Sequence, residues 1–252
     1  MSLVRIAARI AAVEALKGKT LVGDNVLDSE IGAIDVSADG SARTDEEKAF
    51  IAVYTDAGSA DVDLRSLNKN GVTDFLFEAG ITAAMTDTDP ETGAKTVVGI
   101  PATDRAFEFF LDMVVHQIGA ALNDPANEWA EVFRGLAPRF VSTKRTRTSN
   151  DTGGVRMAAQ QVMVQADLIA DSVRGMTLAP AHGLSKFFAK AETLVDPVID
   201  AQVALMRAAI AGDVSDFDVM RARYGRTAGE GAATGLEVLG APIAGVQLGD
   251  GM

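Results

Sequence analysis

The chain has 252 residues, 48% of them hydrophobic and 23% charged, with a formal net charge of −12. This is the balance of a soluble globular protein with ample material for a core, and the acidity argues against a surface that embraces phosphate backbones. No cysteine is present, which excludes disulfides and thiol chemistry, and no apolar run reaches the roughly 18–20 residues that span a bilayer.

The first predicted element is a helix. Ser2 caps it, and Leu3, Ile6, Ile10 and Val13 recur at helical spacing until Gly18 stops it, with Arg5, Arg9 and Glu14 off the stripe. This start has no long uncharged stretch followed by a small-residue cleavage site, so no secretory signal is expected. A short extended piece over Val26–Ile34 comes next, then "DVSADGSARTDEEK", which reads as a loop. "AFIAVYT" (Ala49–Thr55) is apolar on both alternating sets and rich in β-branched and aromatic residues, the pattern of a strand inside a sheet. In "TDFLFEAGI", Phe75, Phe77, Ala79 and Ile81 alternate with Asp74, Leu76, Glu78 and Gly80, which predicts a half-buried strand with a partly acidic outer face. "DTDPETGAK" and "TVVGI" then complete a hairpin.

A long helix is predicted over Thr103–Leu122, after Pro101. Phe107, Phe110, Leu111, Val114, Ile118 and Leu122 form its main stripe. Phe109, Met113 and His116 lie roughly 200° away by helix geometry and form a candidate subunit-interface face. "NEWAEVFRGLA" (Asn127–Ala137) predicts a short helix. The basic, Ser/Thr-rich "FVSTKRTRTSNDTGGVR" (Phe140–Arg156) reads as a loop, released by Gly153 and Gly154 into a strand over "QQVMVQADLIA". From about Val173 two helices are expected, broken near Asp196–Pro197 and ended by Gly212, then a short helix from Ser215. Thr227–Met252 is rich in glycine and alanine and is expected to be mobile or ordered only against a neighbour.

The catalytic inventory is thin. His116 and His182 are the two histidines, and neither has Cys, Asp, Glu or His at helical spacing on the same face that makes a metal site compelling. "DTDPETG" has acids at alternate positions like a calcium loop, but Thr92 stands where glycine is needed and Val98 where glutamate is needed. "GEGAATG" lacks the Gly-Lys-Ser/Thr ending of a phosphate loop. The residues therefore predict no catalytic centre, no metal and no cofactor. In the basic segment, Lys144, Arg145, Arg147 and Arg156 stand against a single acid, Asp151, with no aromatic residue among them to stack bases. This favours an acidic protein neighbour over nucleic acid.

The succession "LVRIAARIAAVEAL", "GDNVLDSEIGAID", "AFIAVYTD", "TDFLFEAGI", "GIPATDRAFEFFLDMVVHQIGAAL" and "WAEVFRGLAPRFVSTKRTRTSNDTGGVRMAAQQVMVQADLIAD" resembles the tail terminator (tail completion) proteins of long-tailed bacteriophages. The likeness covers Leu3 to Asp171 and lies in order, spacing and texture. It implies a small α/β protein; with the reading of the elements above, the expected fold is α/β (α+β), a mixed, mostly antiparallel sheet packed by the N-terminal helix and the long central helix, with a helical C-terminal extension that has no counterpart in the resemblance. The expected organisation is a terminator-like domain over 1–172, the helical extension over 173–226 and a Gly/Ala-rich tail over 227–252.

The resemblance further implies a non-enzymatic virion protein that forms a hexameric ring. The ring caps the tail tube and meets the tail tube protein on one side and a head-side connector or stopper on the other. DNA passes its lumen without specific binding. On that picture Asp74, Glu78 and Asp167 are candidate lumen-facing acids, and the basic segment is a candidate docking loop. Another phage neck ring, or a non-viral protein-binding module, is the alternative the sequence leaves open.

Overall fold

A computed structural model describes residues 3–30, 35–36, 42–43, 48–62, 65–82, 87–88, 95–97, 100–101, 103–150 and 157–233. Its centre is a five-stranded sheet of β1 (Val26–Asp28), β4 (Phe50–Ser59), β5 (Gly71–Thr82), β10 (Met157–Leu168) and β9 (Arg139–Asn150), in that spatial order. β1 runs parallel to β4 and every other pair is antiparallel. The sheet is therefore mixed and mostly antiparallel, as expected.

Two smaller ribbons accompany the main sheet. β2 (Asp35–Val36) pairs with β3 (Ala42–Arg43), and β6 (Asp87–Thr88), β7 (Lys95–Val97) and β8 (Ile100–Pro101) form a three-stranded piece. The first falls inside the stretch read as a loop, so part of that loop is paired backbone. Runs of two or three residues carry no periodic signal, which is why the sequence pattern misses them.

Helices cover one face of the sheet. α1 (Leu3–Leu16) is almost wholly interior, with Val4, Ala7, Ala8, Ile10, Ala11, Ala12, Val13, Ala15 and Leu16 buried. Its many alanines let it pass closely between β1, β4 and the helices α2, α3 and α4. α2 (Asp104–Asn123) starts at Thr103, whose side chain accepts from the Ala106 N–H, and it buries Phe107, Phe110, Leu111, Val114, Ile118 and Leu122 as its stripe requires. α3 (Glu128–Leu136) places Phe133 edge-on to Phe75 of β5, with ring centroids 5.3 Å apart.

One side chain ties these helices together. The Asn127 carboxamide oxygen accepts from the Trp129 and Ala130 N–H groups at the start of α3. Its Nδ2 donates to the Ala15 carbonyl at 2.8 Å and the Ala121 carbonyl at 3.3 Å, at the ends of α1 and α2. Arg134 adds bonds to the carbonyls of Leu122 and Asp124. Carbonyls at the ends of two helices are thus bonded by side chains from the start and body of a third.

The core continues without a break beyond residue 172. α4 (Gly183–Ala191) buries Leu184, Phe187 and Phe188, and α5 (Pro197–Ile210) buries Val203, Met206 and Ile210, all in the same cluster as the sheet. Phe187 packs on Trp129 of α3, and Lys190 lies 5.9 Å over the Trp129 ring while it pairs with Glu128. Asp196 caps α5 and Pro197 opens it, where the sequence placed a break. α6 (Asp216–Arg223), capped by Ser215, and α7 (Ala228–Ala233) follow. α7 lies within the predicted Gly/Ala-rich tail, and residues 234–252 of that tail fall outside the described residues.

Candidate functional site

The alternation of β5 and β10 divides their side chains between two environments. Phe75, Phe77, Ala79, Ile81, Val162 and Ala166 join the helix-covered core. Asp74, Glu78, Gln161, Gln165 and Asp167 stand on the opposite face. Register pairs Glu78 with Gln161 and Asp74 with Gln165, and the side chains bond as the register dictates. Gln165 Nε2 donates to Asp74 at 2.9 Å, and Gln161 Nε2 donates to Glu78. Asp167 receives the Arg139 guanidinium at 3.2 Å.

The three acids predicted to share a polar face do share one, but they are not equivalent. Glu78 is only 8% exposed, because Phe50, Ala52 and the half-buried Leu27 and Tyr54 form a small apolar cluster on the same face. The Phe50 ring packs against Gly80, where an added Cβ would lie 2.5 Å from its Cζ. Burial pushes the Tyr54 hydroxyl pKa up, and the neighbouring Glu78 carboxylate pushes it further. That hydroxyl also donates to the Glu30 carbonyl at 2.7 Å. Glu78 is therefore a part of the sheet's interior, while Asp74 is half-buried and Asp167 half-exposed.

The predicted docking loop needs correction. Arg139–Asn150 is a strand, β9, paired along its length with β10 from Met157↔Asn150 to Asp167↔Arg139. Val141, Thr143, Thr146 and Thr148 have strand propensity, and β10 supplies a partner for the whole run. Its polar residues occupy both faces, so no apolar alternation advertises it. Residues 151–156, Arg156 among them, lie outside the described residues. Arg147 is not free to dock: its guanidinium grips Glu108 of α2, with Nε at 2.7 Å, and that carboxylate raises its pKa. Lys144 and Arg145 are exposed, and neither has an ion pair among the described residues.

On α2, Phe109 is 60% exposed, Met113 is half-buried and His116 is exposed. The neighbouring Glu108 and Asp112 reach Arg147 and Gln160 of the β9–β10 hairpin, the latter at 2.9 Å. The second apolar side of α2 thus lies beside the hairpin and faces outward. Nothing in its sequence pattern announces the Glu108 and Asp112 links, because their partners lie 39 and 48 residues away.

A cleft of about 570 Å³ gathers Asp171, Ser172 and His182, with Lys69 and Arg223 at its sides. The residue types suggest a nucleophile, base and orienter, but the bonding assigns them other work. Asp171 Oδ1 accepts from the Val4 N–H of α1 at 2.8 Å and from Asn70 at 3.3 Å. Burial opposes its charge, yet the hydrogen bonds gathered around it hold its pKa below the ordinary value. His182 Nδ1 accepts from the Leu184 N–H at 3.2 Å and caps α4. The neutral ring therefore carries its proton on Nε2, and burial lowers its pKa. With one nitrogen committed and the other protonated, the imidazole has no lone pair to activate a hydroxyl. Among the described residues no group of three His or carboxylate side chains is placed to hold a metal ion, and no helix is long and apolar enough to cross a membrane.

Compared with models of known protein families and with curated proteins, the chain matches none. The functional reading therefore stands on the order of its elements and the surfaces they present.

Proposed function

We propose that this chain is a structural protein of a long-tailed bacteriophage, a terminator whose ring caps the tail tube, ends its polymerisation and joins the tail to the head-side connector. One observation carries the reading. α1, β1, β4, β5, α2, α3 and the β9–β10 hairpin occur in the order on which the resemblance rests, and they fold around one mixed sheet. The outward aromatic Phe109 on α2 supports an assembly, because aromatic residues are favoured at interface cores. In this reading the ring is a hexamer that works at the tail neck of the virion after synthesis in the host cytoplasm. The tail tube protein and a connector or stopper are its axial neighbours. Asp74 and Asp167 line the passage, the charge of Asp167 shared with Arg139 and that of Asp74 left to repel DNA phosphates, and no nucleic-acid sequence is recognised.

The test combines light scattering and negative-stain microscopy on the purified chain with an assembly assay on tube protein. Closed rings, and tubes that stop lengthening when the chain is added, are the expected results. A monomer at every concentration, beside tubes that grow unchanged, would overturn the proposal.

A further inference from the structure

The C-terminal extension carries an apolar groove that nothing among the described residues fills. Phe217 and Met220 of α6 and Tyr224 at its end recur at helical spacing and share one side of the helix. Met220 is 45% exposed and Tyr224 42%, and α6 buries none of its residues. With Gly231 of α7 these three line a cavity of about 390 Å³, within the range of pockets that hold a ligand. Its walls are fixed. Gly225 turns the chain between the two helices at φ +63° and sits against the Arg65 carbonyl, where an added Cβ would lie 2.4 Å away. Glu230 of α7 pairs with Arg65 and forms a capping box with Thr227, whose hydroxyl accepts from the Glu230 N–H at 3.3 Å.

Charge around the groove is divided along α6. Asp216 stands at its start, whereas Arg221, Arg223 and Arg226 stand in or beyond its last turn. Arg221 is paired with Asp218 at 2.9 Å. Arg223 lies 6.0 Å over the Tyr224 ring, and neither it nor Arg226 has an ion pair among the described residues. One end of the groove therefore offers apolar side chains beside unpaired cations.

We infer that this groove is the dock of the chain's own segment Leu236–Leu239, its apolar side chains on Phe217, Met220 and Tyr224 and Glu237 turned to Arg226. The described chain stops at Ala233, two residues past Gly231 in the cavity wall. Leu236 follows Gly231 by five residues, and a run of that length spans up to about 17 Å, enough to turn back over a cavity of this size. Leu236–Leu239 is the first run of large apolar residues after α7, and Glu237 is the only charged residue between Glu230 and Asp250. The acid that matches the basic end thus sits inside the run that matches the apolar wall. So short a tether keeps the segment at an effective concentration in the millimolar range, and even a weak contact is then populated. A second copy supplies the same segment only at its solution concentration, which favours the chain's own. The start of the Gly/Ala-rich tail is ordered in this way by its own extension and needs no neighbour.

The inference does not rest on the ring reading, since the contact lies within one chain. Hydrogen–deuterium exchange of the full chain, read by mass spectrometry, tests it. In the wild type the amides of 236–239 are expected to be protected, equally at every protein concentration. Leu236→Asp with Leu239→Asp is expected to speed exchange at Met220–Tyr224 at least about tenfold and to leave the main sheet unchanged. Met220→Glu is expected to release 236–239 from the groove side. Arg226→Glu is expected to loosen the contact about twofold, the scale of an exposed ion pair, and Glu237→Arg in the same chain to restore it. Residues 236–239 that exchange at the rate of an unstructured peptide overturn the inference. So do substitutions there that leave α6 unchanged, or a double reversal that restores nothing. Protection that rises with protein concentration also overturns it and assigns the groove to a second copy.

Discussion

β5 and β9 are strands of the same length in the same sheet, and they have almost nothing else in common. β5 is paired on both sides and buries Phe75, Phe77, Ala79 and Ile81 under the helices. β9 is paired on one side and is exposed at every position from Arg139 to Arg147. Strand geometry therefore does not require burial in this molecule. β5 is held by what its side chains leave behind in water, and β9 by its ladder to β10 and by ties at its two ends. One end has Phe140 stacked on Phe133 at 5.9 Å, and the other has Arg147 on Glu108. The contrast separates the part of the sheet that stabilises the fold from the part that is available to a partner.

The largest effect that sharpens this contrast is expected in β5. Phe77→Ala removes a fully buried ring and should cost about 3–5 kcal/mol in chemical denaturation. Next comes the exit of β10, where Asp171 anchors the start of α1. Asp171→Asn should cost about 1.5–3 kcal/mol at neutral pH, the range for hydrogen bonds to charged groups. Its folded pKa lies below the ordinary 3.8, so its stabilisation is complete above that value and fades as pH falls through the lower folded one. The wild type should accordingly lose stability on acidification below about pH 4 more steeply than Asp171→Asn. At the root of β9, Phe140→Ala should cost about 1 kcal/mol, since its ring is partly exposed and stacks on Phe133. Mid-strand, Thr143→Ala should stay within about 0.5 kcal/mol. A loss at Thr143 comparable to that at Phe77 would break the comparison and show that β9 stabilises the fold.

The sequence disclosed most where polar and apolar residues are segregated. The stripe of α2, the alternation of β5 and the cap at Ser215 all say what they form, because one face must leave water and one end must satisfy its amides. It disclosed least where the stabilising partner is remote. β9 is polar on both sides, and only the presence of β10 makes it a strand. His182 stood in a stretch without periodicity, so its role as the cap of α4 was not visible. Asp171 accepts from the Val4 N–H, 167 residues away in sequence, and no local pattern encodes that. Nothing local shows how the helices after Val173 pack, because α4 is held through Phe187 on Trp129, two aromatic residues far apart in sequence. Of the surface residues singled out, Phe109, Lys144 and Arg145 are outward, while Glu78 and Arg147 are committed within the chain.

The Asn127 carboxamide has a further consequence, for how the helical layer opens. It bonds to the last turn of α1, the last turn of α2 and the first turn of α3 at once. None of these helix ends can fray without stranding a buried amide that the other two still enclose. The three ends are therefore expected to exchange their backbone hydrogens as one cooperative unit, with a common opening free energy, while the outer turns of α5 and α6 exchange separately and sooner. One side chain converts three local unwinding events into a single collective one.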